Sequence, residues 1–224
     1  MDPSHPTPPM AAGSAGGLPE PRGYFIVLSQ VTDEERFETY RHVLAKLREI
    51  YGGRYLVRAQ PIETFGRPST GFRLTIVEHP TRTQLRLLLA SPEYETLHRE
   101  LGLVGAGPSW AVPGLSPPPA PLPPAPEPRA YAVTRTSVQD AARLERYEPL
   151  VAALVAAHGG RILVRTADVQ AVSGPADLCR LAVVEFPSQA ALRAALASRD
   201  MGDMRKIWEG IGRIDLWIAA GVTD

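Results

Sequence analysis

Two arginine and glutamate pairs, one in each half of the chain, have the side-chain types that could support proton transfer. Arg58 and Glu78 recur as Arg165 and Glu185, each 107 residues later. A carboxylate can move a proton while a neighbouring guanidinium holds the anionic or carbonyl oxygen that develops beside it. The same residues can instead form cross-strand ion pairs that stabilise strand register by about 0.2 to 1 kcal/mol. The sequence leaves the catalytic and the structural interpretation open.

The predicted contact between the members of each pair depends on a hairpin. If the first hairpin is centred on Pro68, Arg58 lies opposite Glu78 on the neighbouring strand. Shifting this arrangement by 107 residues centres a second hairpin on Pro175 and pairs its arginine and glutamate in the same way. Both pairs are therefore predicted at the end of the sheet that lies far from the turn.

Two tyrosines and two further arginines are candidates for the same sites. Tyr24 and Tyr131 begin the first strand of each half and could reach a pocket with a phenol, although a buried tyrosine whose hydroxyl has a hydrogen-bond partner is the commoner case. Strand alternation predicts that Arg54 and Arg161 share a face with the arginines of the two pairs. Such a basic face would suit an anionic or polyoxygenated ligand, although the arginines could instead bind carboxylates of the opposite half.

Aromatic and histidine side chains complete the set of candidate ligand contacts. Trp110 and Trp217, on the last strands, are predicted as pocket wall or core. His79 follows the first glutamate and is a candidate substrate contact, but alternation places it on the opposite strand face. His42 and His98 have no second ligand at metal spacing, so we predict no metal site. The chain has no phosphate loop, catalytic triad pattern or dinucleotide fingerprint, and we predict no cofactor.

The chain is a tandem repeat. The segment from Tyr51 to Arg58 returns as the segment from His158 to Arg165. Without a gap, the same offset aligns Tyr24 with Tyr131, Asp33 with Asp140, Tyr40 with Tyr147, Glu78 with Glu185 and Trp110 with Trp217. Internal repeats of this kind determine the architecture and are therefore decisive for the fold.

Hydrophobic periodicity gives each repeat the element order β-α-β-β-α-β. In the first repeat, a strand over 24–31 precedes a helix that begins with a capping box at Thr32 and ends at Gly52. Two strands then flank a turn at 66–71, and helices follow before a last strand near 109–112. This order is the ferredoxin-like arrangement, so we predict an α+β fold with two tandem ferredoxin-like βαββαβ repeats.

The predicted domains are a disordered tail at 1–22, repeat 1 at 23–113, a proline-rich linker at 114–129 and repeat 2 at 130–221. The linker is interpreted as a tether, with docking of a proline-binding partner as the alternative. Each repeat leaves one sheet face bare, which the other repeat can cover to form an α/β-barrel pseudo-dimer within the chain. Pairing between chains in a homodimer is equally compatible with the linker.

Composition limits the classes of partner. The 24 basic and 24 acidic residues give a formal net charge of zero, so we expect no nucleic-acid partner. No apolar run reaches the length of a membrane span, and we expect no membrane partner. A single cysteine, Cys179, excludes an internal disulfide framework, and the N-terminus lacks the pattern of a signal peptide. We therefore expect a cytoplasmic protein with a small-molecule ligand.

Three motifs carry a family resemblance: the Gly-Gly-Arg-x-Leu-Val-Arg run, Val-Val-Glu-Phe-Pro-Ser at 183–188 and Ser-Pro-Glu-Tyr at 91–94. They resemble the small dimeric α/β-barrel proteins grouped as domain of unknown function family 1330, and the resemblance covers both repeats. It implies a ferredoxin-like fold that pairs into a barrel. It also places the chain in a superfamily that contains cofactor-free monooxygenases, lactone isomerases, cyclases and small-ligand sensors.

The sequence supports three functional hypotheses. The first is a cofactor-independent enzyme, of isomerase, cyclase or monooxygenase type, that acts on a small organic metabolite of a biosynthetic pathway. The second is a module that binds or senses a small ligand without turnover, and the third is a structural pseudo-dimer. Repeat 2 has Ser198-Arg199-Asp200-Met201 where repeat 1 has Ser91-Pro92-Glu93-Tyr94, so the two sites are not expected to be equivalent.

Overall fold

Two antiparallel sheets with helices on their outer faces form the framework of the computed structural model. It describes residues 19–64, 67–69, 71–101, 105–174 and 179–223. Repeat 1 comprises β1 (Gly23–Val31), α1 (Glu34–Ile50), β2 (Arg54–Ala59), β3 (Ile62–Thr64), β4 (Arg67–Ser69), β5 (Arg73–His79), α2 (Arg82–Leu89), α3 (Pro92–Leu101), β6 (Gly105–Ala106) and β7 (Ser109–Pro113). Repeat 2 comprises β8 (Ala130–Val138), α4 (Ala141–Ala157), β9 (Arg161–Thr166), β10 (Gln170–Ser173), β11 (Arg180–Phe186), α5 (Gln189–Ala197), α6 (Arg199–Trp208) and β12 (Gly212–Ala220). The predicted α+β fold is confirmed.

The first predicted helix lies within two residues of α1 at each end. The cap of α1 is Asp33, whose carboxylate accepts the Arg36 backbone N–H at 3.1 Å, so the predicted cap at Thr32 is wrong by one position. Gly52 adopts a φ of 66° directly after the helix, a conformation that glycine reaches without strain. None of the described helices is both long enough and apolar enough to cross a membrane.

Short arms are exchanged between the two sheets. β3 leaves repeat 1 and pairs with β12, where Thr64 lies opposite Trp217. β10 leaves repeat 2 and pairs with β7, where Ala171 lies opposite Trp110. The prediction of simple hairpins centred on Pro68 and Pro175 is therefore wrong for Pro68, because the chain between β2 and β5 crosses to the other repeat. Pro175 lies outside the described residues. Each arm covers the free edge of the sheet that it joins.

The strand register corrects the predicted arginine and glutamate pairs. Arg54, and not Arg58, lies opposite Glu78, while Arg58 lies opposite Thr75. The reason is a β-bulge, since Leu56 is the extra residue between two paired positions of β2. Leu56 and Val57 both reach the core between the sheets, so Arg58 emerges on the helix-facing side. The prediction that Arg54 and Arg58 share a strand face is also wrong.

Repeat 2 contains the same bulge. Arg161 lies opposite Glu185, and Arg165 lies opposite Ala182, with the register shift at Leu163. The predicted pair of Arg165 and Glu185 is therefore wrong for the same reason. Because each repeat contains this bulge at the equivalent residue, the predicted arginine and glutamate pairing is wrong in both repeats in the same way.

The space between the two sheets is filled by side chains of both repeats. The described core there includes Tyr24, Ile26, Tyr131 and Val133 from β1 and β8, all at most 3% exposed. Trp110 and Trp217 stack on one another with ring centres 5.9 Å apart. Because these residues come from both repeats, the pseudo-dimer is formed within one chain.

Candidate functional site

A buried carboxylate in repeat 1 is held by three donors. Glu78 is 3% exposed and lies at the end of β5, next to the start of β1. Its Oε2 accepts the hydroxyl of Tyr24 at 2.8 Å. Its Oε1 accepts Nη1 of Arg22 at 2.6 Å and Nε of Arg54 at 2.8 Å. Burial, reinforced by the Glu78 charge, raises the pKa of Tyr24, so the phenol stays a neutral donor.

Glu185 has the equivalent partners in repeat 2, and the linker covers them. Tyr131 donates its hydroxyl at 2.8 Å, Arg161 donates Nε, and Nε of Arg129 lies 3.8 Å from Oε1. Arg161 also donates Nη1 to the backbone oxygen of Ala120 at 2.8 Å. Arg129 donates Nη2 to the oxygen of a second linker residue, Pro123, at 2.6 Å. Burial raises the pKa of Tyr131 in the same way.

The two carboxylate clusters are adjacent across the barrel. The charge of Arg161 opposes the upward shift in the pKa of Tyr24, and the charge of Arg54 does the same for Tyr131. Sequence reasoning missed Arg22 and Arg129 because they fall in the predicted tail and linker. The available signal was Pro-Glu-Pro-Arg, which occurs at 19–22 and again at 126–129. Both oxygens of each carboxylate therefore accept hydrogen bonds from tyrosine or arginine side chains.

A cavity of about 570 Å³ lies between the repeat 1 sheet and the helices α1 and α3. Its walls are aromatic and comprise Phe25, Phe37, Tyr40, Tyr55 and Tyr94. Phe25 and Tyr94 meet edge to face with ring centres 6.4 Å apart. The cavity lies on the opposite side of the sheet from Glu78.

Three arginines line this cavity, and the described lining residues include no aspartate or glutamate. The guanidinium carbon of Arg58 lies 4.8 Å from the centre of the Tyr55 ring, and that of Arg73 lies 4.6 Å from the centre of Phe37. Burial lowers the pKa of Arg73. Within the described part of the chain, the buried Nε of Arg41 has no hydrogen-bond partner. Nη1 of Arg41 also forms an ion pair with Oε1 of Glu38 at 2.8 Å. Among the described lining residues, the cavity therefore combines aromatic walls with the positive charges of Arg58 and Arg73.

Two tyrosines form the polar part of the aromatic wall. Tyr40 and Tyr94 share a hydrogen bond between their side chains. Burial raises the pKa of Tyr40 to about 12 and also raises the pKa of Tyr94. His98 stacks on Tyr94 with ring centres 5.9 Å apart. Both phenols are neutral at physiological pH and can orient an oxygen atom of a ligand.

The equivalent positions in repeat 2 have different chemistry. Ile162 and Met201 replace the cavity tyrosines Tyr55 and Tyr94. Glu148 replaces Arg41 and forms an ion pair with Arg180 at 3.1 Å. Repeat 2 therefore carries an acid at the position of Arg41, and this acid neutralises Arg180.

Repeat 2 has a cavity of about 490 Å³ of its own, on the side of α6 and β12. Its walls are mainly apolar and include Met201, Trp208 and Leu216. Its charged lining residues are Arg205 and Glu209, which carry opposite charges. An anion is therefore favoured in the repeat 1 cavity and not in this one.

The repeat 1 cavity is completed by residues of repeat 2. The chain end after β12 contributes Gly221, Val222 and Thr223 to the wall, and β10 contributes Ser173. The hydroxyl of Ser173 lies 2.8 Å from that of Ser109 in repeat 1. The site is therefore composite and depends on the pairing of both repeats.

The predicted site residues lie in different parts of the structure. Arg58 lies at the cavity, whereas the predicted glutamates, their two tyrosines, Arg54 and Arg161 form the buried clusters. Trp110 and Trp217 are core. His79 is fully buried on the helix-facing side, where its Nδ1 lies 3.2 Å from the Tyr51 oxygen and burial lowers its pKa. Arg165 is exposed and lies apart from Glu185.

The fold and the duplicated site together define a tandem dimeric α/β-barrel protein. The family model of the domain of unknown function DUF1330 matches residues 22–108 and 129–222. The chain belongs to this family. Both matched segments begin at an arginine of the carboxylate clusters. Comparison with curated proteins finds no match.

Solved structures share the architecture at low sequence identity. A proposed monooxygenase of Lactobacillus acidophilus NCFM is 9% identical, with a TM-score of 0.53 over 91% of this chain and 95% of that one. A proposed monooxygenase of Fusobacterium nucleatum subsp. nucleatum is 6% identical, with a TM-score of 0.56 over 92% and 94%. An anthrone oxidase-like protein is 9% identical, with a TM-score of 0.58 over 92% and 93%. These similarities establish the fold alone.

Proposed function

We propose that the protein binds a small aromatic anion in the repeat 1 cavity and acts on it without a cofactor. The proposal rests on one observation, which is that five aromatic side chains and three arginines line the same cavity of about 570 Å³. This volume lies in the range of about 300 to 1,000 Å³ that is usual for ligand sites. Aromatic walls favour offset stacking of a flat ligand, and guanidinium groups bind carboxylate or phenolate oxygens in two-point contacts.

The proposed chemistry follows from the same groups. Arg58 and Arg73 stabilise the phenolate or enolate form of a ligand that has released its proton to solvent, which favours isomerisation, cyclisation or oxygenation. In the oxygenation, dioxygen is the oxidant and the ligand supplies the electrons, so that one oxygen atom enters the ligand and the other leaves as water. The names of the similar structures from Lactobacillus and Fusobacterium describe monooxygenases, and we extend this reaction type to the present chain as part of the proposal. The catalytic roles of Glu78 and Glu185 stay predictions, since both carboxylates lie in the clusters outside this cavity.

Binding is tested by calorimetric titration with 2-naphthoate and with the neutral analogue 2-naphthalenemethanol. We expect naphthoate to bind at least about tenfold more tightly, because a charge-assisted hydrogen bond contributes about 1.5 to 3 kcal/mol. The variant Arg73→Gln should remove this preference, whereas Arg180→Gln, its counterpart in repeat 2, should keep it. Equal affinity for both compounds, or loss of the preference in Arg180→Gln alone, would contradict the proposal.

The second candidate is a sensing module without turnover. Burial raises the pKa values of Tyr40 and Tyr94, so these phenols can bind oxygen atoms of a ligand without releasing their protons, which favours sensing. The two candidates are separated by incubating the protein with aromatic acids and phenols in air and measuring the masses of the recovered compounds. A change in mass or retention that depends on Arg58 supports turnover. Recovery of every tightly bound compound unchanged supports sensing.

A further inference from the structure

The structure assigns a positioning role to Val222: its backbone N–H, at the end of repeat 2, fixes the bulge that directs Arg58 into the repeat 1 cavity. This inference rests on the proposed function for its consequence in ligand binding. Its structural part concerns only the contact between the two repeats. Val222 is not one of the predicted site residues, and it is not part of either carboxylate cluster.

β2 is the edge strand of its sheet, and the oxygen of its extra residue has a partner outside that sheet. Leu56 is skipped by the pairing between β2 and β5. Its oxygen accepts the N–H of Val222 at 3.0 Å, and a β-bridge joins Val57 to Gly221 beside it. A buried backbone oxygen without a partner is unfavourable, so this bond stabilises the bulged form of β2 over the regular form.

The bulge decides which face of the sheet Arg58 occupies. Side chains alternate along a regular strand, so without the extra residue Arg58 would share the face of Arg54, on the side of Glu78. With the bulge, Arg58 lies opposite Thr75 and beside Tyr55, both of which line the cavity. Losing the Val222 bond should therefore withdraw a cation from the cavity.

The position of Gly221 makes this contact specific. A Cβ atom added there would lie 2.8 Å from Cε2 of Tyr131, 3.1 Å from the Arg129 oxygen and 3.1 Å from the Leu56 oxygen. The N–H of Gly221 also donates to the Arg129 oxygen at 2.7 Å. Only glycine lets the chain pass between the Tyr131 side chain and β2 at this distance, which places the next N–H on Leu56.

The segment that follows β7 makes the equivalent contact with repeat 2. The N–H of Leu115 donates to the oxygen of Leu163, the extra residue of the second bulge, at 2.9 Å. That bulge aims Arg165, which is exposed and does not line the repeat 1 cavity. Leu115 therefore offers a matched control with the same bond and no predicted effect on the ligand.

The test compares Val222→Pro with Leu115→Pro, since proline removes the donor N–H in each case. In Val222→Pro we expect naphthoate affinity to fall by the same factor as in Arg58→Gln, about tenfold. The double variant should bind no more weakly than Arg58→Gln alone. Leu115→Pro should bind like the wild type. If Val222→Pro does not fold, truncation after Gly221 removes the same donor; because it also removes the wall residues Val222 and Thr223, it is read only by the ligand-free measurement below.

A measurement without ligand separates this inference from the proposed function. The Arg58 side-chain resonances should be shifted by the ring current of Tyr55, and this shift should be lost in Val222→Pro or the truncated chain. It should persist in Leu115→Pro. Unchanged Arg58 resonances in both variants, or equal losses in Val222→Pro and Leu115→Pro, would overturn the inference. A wild-type protein that fails to bind naphthoate would overturn the proposed function alone.

Discussion

The two repeats share a backbone and differ at the positions that line the repeat 1 cavity. Both contain the bulge, the carboxylate cluster and the same element order. In repeat 1 the cavity position on the first helix is Arg41, whereas in repeat 2 it is Glu148, which neutralises Arg180. Function in this protein therefore depends on a few side chains placed on a shared fold.

The carboxylate clusters differ in a second respect. The side chains of Arg22 and Arg54 around Glu78 are 45% and 62% exposed. Those of Arg129 and Arg161 around Glu185 are 22% and 16% exposed, because the linker lies over them. Equivalent charges therefore have different access to water.

The largest effect is expected from removing the covered carboxylate. Glu185→Gln should lower the free energy of unfolding by about 3 kcal/mol or more, because it leaves two shielded arginines without a counter-charge. Glu78→Gln should cost clearly less, since its arginines can be hydrated. Urea denaturation of both variants measures the difference. Equal losses would show that the linker does not shield the second cluster.

A smaller effect is expected when repeat 1 receives the acid of repeat 2. Arg41→Glu should pair with Arg73 as Glu148 pairs with Arg180, and naphthoate affinity should fall about tenfold. The control Lys46→Glu makes the same charge change at an exposed position of α1. It should change the affinity little at 0.15 M salt, where charges beyond about 8 Å are screened. Similar losses in both variants would indicate a general charge effect.

The smallest effect concerns pH. Burial holds the folded-state pKa of His79 below its ordinary value of 6.5, so the unfolded chain binds more protons below that pH. This contribution to stability is present above pH 6.5 and is lost as the pH falls below it, at a slope of at most about 1.4 kcal/mol per pH unit. His79→Phe, which copies Phe186 of repeat 2, should remove that component. An unchanged profile of urea midpoints between pH 7.5 and 5 would contradict the assignment.

Sequence reasoning predicted the repeat and the element order because hydrophobic period and turn residues are local signals. The prediction for Arg58 was wrong because the bulge at Leu56 depends on Val222, which lies 166 residues after Leu56 in the chain. No local sequence pattern indicates that contact. The exchanged arms were missed for the same reason, since their partners lie in the other repeat. Tyr40 and Tyr94 were correctly placed on helices, but periodicity cannot distinguish a cavity wall from a filled core.

The proposed function confines ligand binding to the repeat 1 cavity. A crystal soaked with 6-bromo-2-naphthoate tests it directly through the anomalous signal of bromine. We expect one bromine among Phe25, Tyr55 and Tyr94, with the carboxylate on Arg58 or Arg73. A bromine between the sheets, or one beside Trp208 in repeat 2, would show that binding is not confined to the repeat 1 cavity.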